Sequence, residues 1–182
     1  NASWQRDLIS ILSTSVQKYE KPINIAGLVV ERRTGLVKAY AGSSSYIDND
    51  RKGSVNYLTA LRSPGSTLKP LIYAKALERK LIEEGHIFKD SQIQRGGYTP
   101  SNFDKIFNGQ VTLKEALNRS LNIPAIQTLE LIGVDGFENS LRTFIAQDIM
   151  QNYKAGLTAA VGGFYLSAEN LAEIYLEIAD PG

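Results

Sequence analysis

The chain contains no cysteine and only one histidine among its 182 residues. The missing thiols exclude disulfide frameworks, cysteine metal sites and a thiol nucleophile together. With His86 alone, no histidine-rich metal centre can be assembled, and a serine–histidine–acid triad would rest on that one ring. His86 is read instead as a partly solvated residue near the end of a helix. Long apolar runs are also lacking. None approaches the roughly 18 residues that a bilayer span requires, and no signal peptide is visible. Charge of one sign is missing too: 20 Lys and Arg stand against 19 Asp and Glu, a net charge of +1. No basic run stands out, so nucleic acid is not an expected partner, and no metal or cofactor is expected.

What is present is ordinary globular composition, 43% hydrophobic and 21% charged. The length favours one domain over two, spanning 1–182. The abrupt ends at Asn1-Ala2 and Asp180-Pro181-Gly182 read as those of a piece taken from something larger. Trp4, Leu8, Ile11, Leu12 and Tyr19 keep helical spacing and predict a helix over 3–20, ended by Pro22. Ile23 to Val30 reads as a strand, Arg33-Thr34-Gly35 as a turn, and Leu36 to Ala41 as the returning strand of a hairpin. From Ser66 to about Glu84 the stripe Leu71, Ala74, Leu77, Leu81 predicts a helix, followed by an irregular stretch over 85–109 with few strands expected. Thr112-Leu113-Lys114-Glu115 has the form of a capping box, Asp135 to Glu138 repeats that logic with Asp as cap, and Ser167 caps a last helix to about Ala179. The sum is α+β and helix-rich with one strong hairpin, which needs further strands or a helical cover to be stable.

The informative stretch is Arg62-Ser63-Pro64-Gly65-Ser66-Thr67-Leu68-Lys69-Pro70. Pro70 places a helix start near Ser66, since proline is tolerated in a first turn and not in a helix interior. A serine there meets unpaired amides that favour developing negative charge. Lys69, one turn on, projects beside it. A serine hydroxyl is a weak nucleophile until a neighbouring base takes its proton, and a lysine can do so if burial lowers its pKa. The same spacing also suits a helix-capping serine with a solvated lysine. Ser15 to Lys18 repeats the S-x-x-K spacing inside an amphipathic helix and is read as chance. Downstream, Ser120 and Asn122 lie two apart in Asn118-Arg119-Ser120-Leu121-Asn122-Ile123-Pro124-Ala125, at a helix break where both can face a cleft. A hydroxyl can relay a proton, and an amide can hold a carbonyl and an ammonium at once. Ser54-Val55-Asn56 has the same form but precedes Ser66, and is read as loop.

These two motifs resemble the S-x-x-K and S-x-N motifs of penicillin-binding proteins and serine β-lactamases. The wording of Arg62–Glu78, Tyr98–Asp104, Val111–Leu129 and Leu157–Ala179 is similar to class A penicillin-binding proteins, nearest the one-C subtype, from about Asn24 to the end. The resemblance implies an incomplete penicillin-binding/β-lactamase-like transpeptidase fold, its N-terminal hairpin belonging to a central antiparallel sheet. It implies a D-Ala-D-Ala transpeptidase of peptidoglycan cross-linking, with peptidoglycan stem peptides as substrate and β-lactam antibiotics as acylating mimics. Ser66 would be the nucleophile and Lys69 its base. Ser120 would relay a proton to the leaving group, Asn122 would orient Lys69 and the substrate amide, and the Ser66 amide would be an oxyanion donor. The full-length protein would be membrane-anchored, working at the outer face of the bacterial inner membrane.

One departure matters. The family's third motif, Lys-Thr-Gly or a variant, does not follow Ser120. Arg33-Thr34-Gly35 precedes the nucleophile, and Lys154-Ala155-Gly156 abuts a segment that comes before the third motif in the family. The stretch is therefore expected to carry half an active site, and a dimer through an open sheet edge is expected. Two alternatives stay open: a serine β-lactamase or D,D-peptidase, and a non-catalytic β-lactam sensor or wall-binding module.

Overall fold

A computed structural model describes residues 2–20, 22–145 and 153–179. The chain forms two compact units, one from Asn1–Arg62 with Leu166–Gly182, the other Ser63–Tyr165.

In the first unit, α1 (Ala2–Val16) lies on a hairpin of β1 (Gly27–Val30) and β2 (Val37–Ala41). The strands pair antiparallel, Leu28 opposite Tyr40 and Val29 opposite Ala39, with an irregularity between Val29 and Val30. Leu12 and Val16 of α1 and Ala39 and Ala41 of β2 are buried. The packing is tight enough at Gly27 that an added Cβ would sit 2.6 Å from Leu8 Cδ1. The helical cover also answers an edge problem. The side chain of Gln5 donates to the Tyr40 carbonyl and accepts from the Tyr40 amide, both at 2.9 Å, so it occupies two groups that a further strand would otherwise take. The last helix, α6 (Ala168–Ala179), is capped by Ser167, whose Oγ accepts from the Asn170 amide at 3.0 Å.

The second unit is built around α4 (Asn122–Ile132), whose Ile123, Ala125, Ile126 and Leu129 are wholly buried. A helix apolar on nearly every face belongs inside a domain. Around it pack α2 (Lys69–Glu78), α5 (Val134–Arg142), the strand β3 (Ile87–Asp90) and a 3-10 helix at Gly156–Val161. Each buried Leu, Ile or Phe here contributes about 1.5–3 kcal/mol. A second antiparallel pair joins β3 to β4 (Gly109–Thr112), with Phe88 opposite Val111 and Asp90 opposite Gly109. These strands lie in and beside the stretch read as irregular from sequence. Four residues are too few to show a period, and the inward alternation is Phe88 then Asp90, so one of its two buried positions is polar.

Three sequence expectations need correction. The second helix ends at Glu78 rather than near Glu84. Lys80 takes φ +56, while the amides of Lys80 and Leu81 reach back to Leu77 and Ala76, a left-handed helix stop made without glycine. The first helix ends at Val16, short of Glu20. Asp135 lies inside α5, whose cap position is Gly133 with no side-chain cap. The Thr112–Glu115 capping box of α3 (Leu113–Asn118) is present in both directions.

One glycine contact brings two turns of the second unit together. Gly162 has φ +99, and an added Cβ would lie 2.6 Å from Gly65 Cα and 2.7 Å from its nitrogen. Gly162→Ala is expected to cost about 2–3 kcal/mol in urea or thermal unfolding. Gly85→Ala, where nothing lies within 4 Å, should stay within about 0.5 kcal/mol.

Candidate active site

The turn before Ser66 depends on its glycine. Gly65 takes φ +56, a conformation that other residues adopt at a cost of roughly 1–2 kcal/mol. Ser63 ties this turn to the Gly156–Val161 segment, its Oγ donating to the Gly162 carbonyl at 2.6 Å. The chain then winds as a short 3-10 helix, Gly65–Leu68, before α2 begins at Lys69 with Pro70 in its first turn. Ser66 therefore lies in a 3-10 turn rather than in the α-helix expected from Pro70. The difference sharpens the geometry, because residues three apart eclipse in a 3-10 helix. Ser66 and Lys69 share one face, with the Lys69 amide bonded to the Ser66 carbonyl. Ser66 is exposed and its hydroxyl hydrogen-bonds to none of the described residues.

Lys69 is only 1% exposed. Its Nζ donates to the Ser120 carbonyl at 2.5 Å, to Asn122 Oδ1 at 2.8 Å and to Ser120 Oγ at 3.2 Å. Three donors thus meet three oxygen acceptors, all neutral. No carboxylate pairs with Lys69 among the described residues. Burial pushes its ammonium down from the ordinary 10.5 to about 8.

Ser120 stands at the end of α3 with φ +53. Its amide reaches Leu117 and the Leu121 amide reaches Ala116, the bonding of a helix stop whose left-handed position is usually glycine. Serine accepts strain there, and the turn aims both its carbonyl and its hydroxyl at Lys69. Asn122 opens α4, and its side-chain orientation is set from both ends. Nδ2 donates to the Ser101 carbonyl at 2.8 Å, which leaves Oδ1 for Lys69.

The structure thus gathers Lys69, Ser120 and Asn122 directly and keeps Ser66 on the Lys69 face without a hydrogen bond between them. It also includes a residue that spacing does not mark. Asn102, 3% exposed, accepts from the Asn122 amide at 2.8 Å and the Ile123 amide at 3.4 Å. Those are free amides at the start of α4, whose own cap position, Leu121, supplies no side-chain bond. A cap reaching across 20 residues leaves no local signature; the nearest signal is an asparagine within the Tyr98–Asp104 wording.

The decoys have other positions. Ser15 lies in the last turn of α1 and Lys18 just past it, and Asn56 donates to the Tyr40 hydroxyl at 2.7 Å. Gly35 closes the first hairpin turn. The amides of Ala155 and Gly156 donate to the buried Glu138 carboxylate at 2.9 and 2.7 Å. His86 packs edge-on against Phe88 at 4.5 Å, just before β3. Among the described residues no cluster of His, Asp or Glu is arranged to hold a metal.

Two measurements follow from this geometry. The Lys69 pKa is lower folded than unfolded, so between about pH 8 and 10.5 the unfolded chain binds the extra proton. Stability of the parent relative to Lys69→Met should therefore rise with pH across that window and be flat below it, read by urea unfolding. Ser120→Gly relieves the left-handed strain but removes the Oγ acceptor of the buried Lys69 ammonium, so the net change should lie within about 1 kcal/mol of zero in the same assay.

Known proteins match the chain over most of its length. The model of the penicillin binding protein transpeptidase domain matches residues 25–172. Penicillin-binding protein 1C of Escherichia coli is 34% identical over the whole chain, which spans 24% of that protein's length. Penicillin-binding protein 1F of Bacillus subtilis is 34% identical over 76% of the chain, which spans 18% of it. The crystal structure of penicillin-binding protein 1A from Haemophilus influenzae superposes with a TM-score of 0.69 at 28% identity, covering 85% of this chain and 23% of that one. The transpeptidase domain of Burkholderia pseudomallei penicillin-binding protein 3 shares the fold, with a TM-score of 0.78 at 18% identity over 98% of this chain and 56% of that one. The helix-rich α+β chain, with its S-x-x-K lysine held by its S-x-N residues, belongs to the penicillin-binding protein transpeptidase family.

Proposed function

We propose that this chain supplies the acylation centre of a serine D-Ala-D-Ala transpeptidase, with Ser66 as nucleophile. The observation that carries the reading is Lys69: a buried ammonium held only by neutral oxygens of Ser120 and Asn122, on the face that Ser66 shares. A pKa of about 8 leaves roughly a tenth of Lys69 neutral at pH 7. The neutral amine takes the Ser66 proton as Oγ attacks the penultimate D-Ala carbonyl of a peptidoglycan stem. The tetrahedral oxyanion is met by the Ser66 amide. The carbon–nitrogen bond breaks, and Ser120 passes a proton to the departing D-Ala amine. Asn122 holds Lys69 and the substrate amide throughout. An amine of a neighbouring stem then attacks the acyl carbon, the bond from that carbon to Ser66 Oγ breaks, and the proton lost by the amine passes through Lys69 to Ser66 Oγ. A β-lactam follows the same first step, but its leaving amine stays tethered, so the acyl-enzyme persists.

The remaining parts of the proposal reach past this stretch. No Lys-Thr-Gly follows Ser120, and the second oxyanion donor and carboxylate-binding group are assigned to residues outside these 182, which form the front part of one transpeptidase domain. No helix among the described residues is long and apolar enough to cross a membrane. Anchoring is assigned to the rest of the protein, and the working location to the outer face of the bacterial inner membrane. Because Gln5 occupies the β2 edge at Tyr40, the dimer proposed for the isolated chain would form through the β1 edge.

Intact-protein mass spectrometry after incubation with benzylpenicillin tests the centre, in this chain and in the full-length protein. A covalent adduct that disappears in Ser66→Ala is expected, forming faster as pH rises towards and past 8. An adduct of unchanged yield in Ser66→Ala would sink the assignment. Rapid loss of the adduct by hydrolysis would mark a β-lactamase, and a lasting adduct with no turnover of stem peptides a sensor.

A further inference from the structure

Asp90 is wholly buried at the inward end of β3, and it pairs with no cation among the described residues. Two asparagines satisfy it. Asn102 Nδ2 lies 2.9 Å from each carboxylate oxygen, and Asn108 donates through its amide at 2.9 Å and its Nδ2 at 2.6 Å. A buried carboxylate without a cation is costly unless its lone pairs are filled in this way. The arrangement has a directional consequence. An ionised carboxylate only accepts hydrogen bonds, so both asparagines must turn their NH2 groups towards it. Their carbonyl oxygens are then forced outward, each to a set place. Asn102 Oδ1 caps the Asn122 and Ile123 amides, and Asn108 Oδ1 accepts from the Arg119 guanidinium at 2.7 Å.

Arg119 and Asn122 flank Ser120, the residue in the left-handed conformation. Resting on the reading of Lys69 as the base, we propose that Asp90 is a positioning residue that grips the Ser120 turn from both sides and so places the Lys69 acceptors. The grip reaches Lys69 only through other groups: the Ser120 carbonyl and hydroxyl on the turn, and Asn122 Oδ1 at its far side. Strained left-handed residues persist only where their surroundings over-determine them, and the two asparagine arms supply that constraint. Asp90 itself touches neither Lys69 nor Ser66 by any hydrogen bond of the described residues.

The test is Asp90→Asn, alone and combined with Asn102→Asp. The single change can keep a carbonyl oxygen at the Oδ2 place, where both Asn108 donors arrive, but puts an NH2 at the Oδ1 place against Asn102 Nδ2, so the Asn102 arm is the one displaced. The double change restores a donor facing a carboxylate, which still caps Asn122 and Ile123 but loses the bond from Asn102 Nδ2 to the Ile106 carbonyl, so recovery is expected to be partial. Benzylpenicillin acylation in the full-length protein should slow by roughly 100-fold in the single variant, as expected for a misplacement near 1 Å. Its pH–rate inflection should move, and the double variant should recover part of both. An activity-independent readout is the titration of Lys69, followed by carbon-13 NMR of labelled lysine in a Ser66→Ala background. It should shift in Asp90→Asn and return part of the way in the double variant. If Lys69 titration behaves so while the parent shows no Ser66-dependent adduct, the positioning role holds and the catalytic reading fails. A folded Asp90→Asn with parental Lys69 titration and pH profile would overturn the proposal. Should Asp90→Asn not fold, Asn108→Ala severs the Arg119 arm alone, and parental Lys69 titration there would overturn the two-sided grip.

Discussion

Taking the ammonium of Lys69 out of water without giving it a carboxylate is the constraint on which the rest of this site depends. A partner carboxylate would hold the proton on Lys69. Neutral oxygens leave the amine able to lose that proton near pH 8, while still satisfying each donor when it is charged. The three acceptors come from two residues of one turn, so the placement of the turn between α3 and α4 sets all three at once. That requirement accounts for features that would otherwise look wasteful: a serine in a left-handed helix stop, a helix start capped from a distant loop, and a buried carboxylate with no cation.

The hydrophobic frame around this polar centre is simple by comparison. α4 is buried on nearly every side and carries Asn122 at its first residue, so the most immobile element of the second unit delivers one acceptor. α2 carries Lys69 at its first residue and buries Leu71, Ile72, Tyr73 and Ala76 behind it. Gly162 lies so close to Gly65 that the turn before Ser66 has no room to shift towards it. Ser66, Lys69 and the acceptors of Lys69 are therefore each placed at the start of a helix or in a turn braced by close backbone contact. Preorganisation of this kind lets charge develop without reorganising the surroundings.

How much of this was legible beforehand varied with the range of the interaction responsible. The capping box at Thr112, the cap at Ser167 and the first hairpin follow from near neighbours and were readable. The stops of α2 and α3 were less so, because each uses a left-handed residue that is not glycine: Lys80 in one, Ser120 in the other. For α2 no glycine or proline stands at the stop, and periodicity predicts a longer helix than forms. For α3 the break coincides with the S-x-N spacing. The strands β3 and β4 escaped because four residues with Asp90 facing inward do not look apolar.

By itself the sequence determined the chemical kit: no thiol, one histidine, and a serine with a lysine three residues on behind a Pro-Gly turn. It determined the family as well, since those motifs and their wording lie along the chain in plain order. Only the tertiary structure decided the state of that kit. Burial, which no residue carries in its own identity, lowered the lysine. The acceptors of Lys69 arrive from 51 and 53 residues away, and the cap on Asn122 from 20, distances over which spacing carries no information. The direction of an asparagine amide is likewise a tertiary fact, because its two ends are nearly the same shape and only the neighbouring donors and acceptors tell them apart.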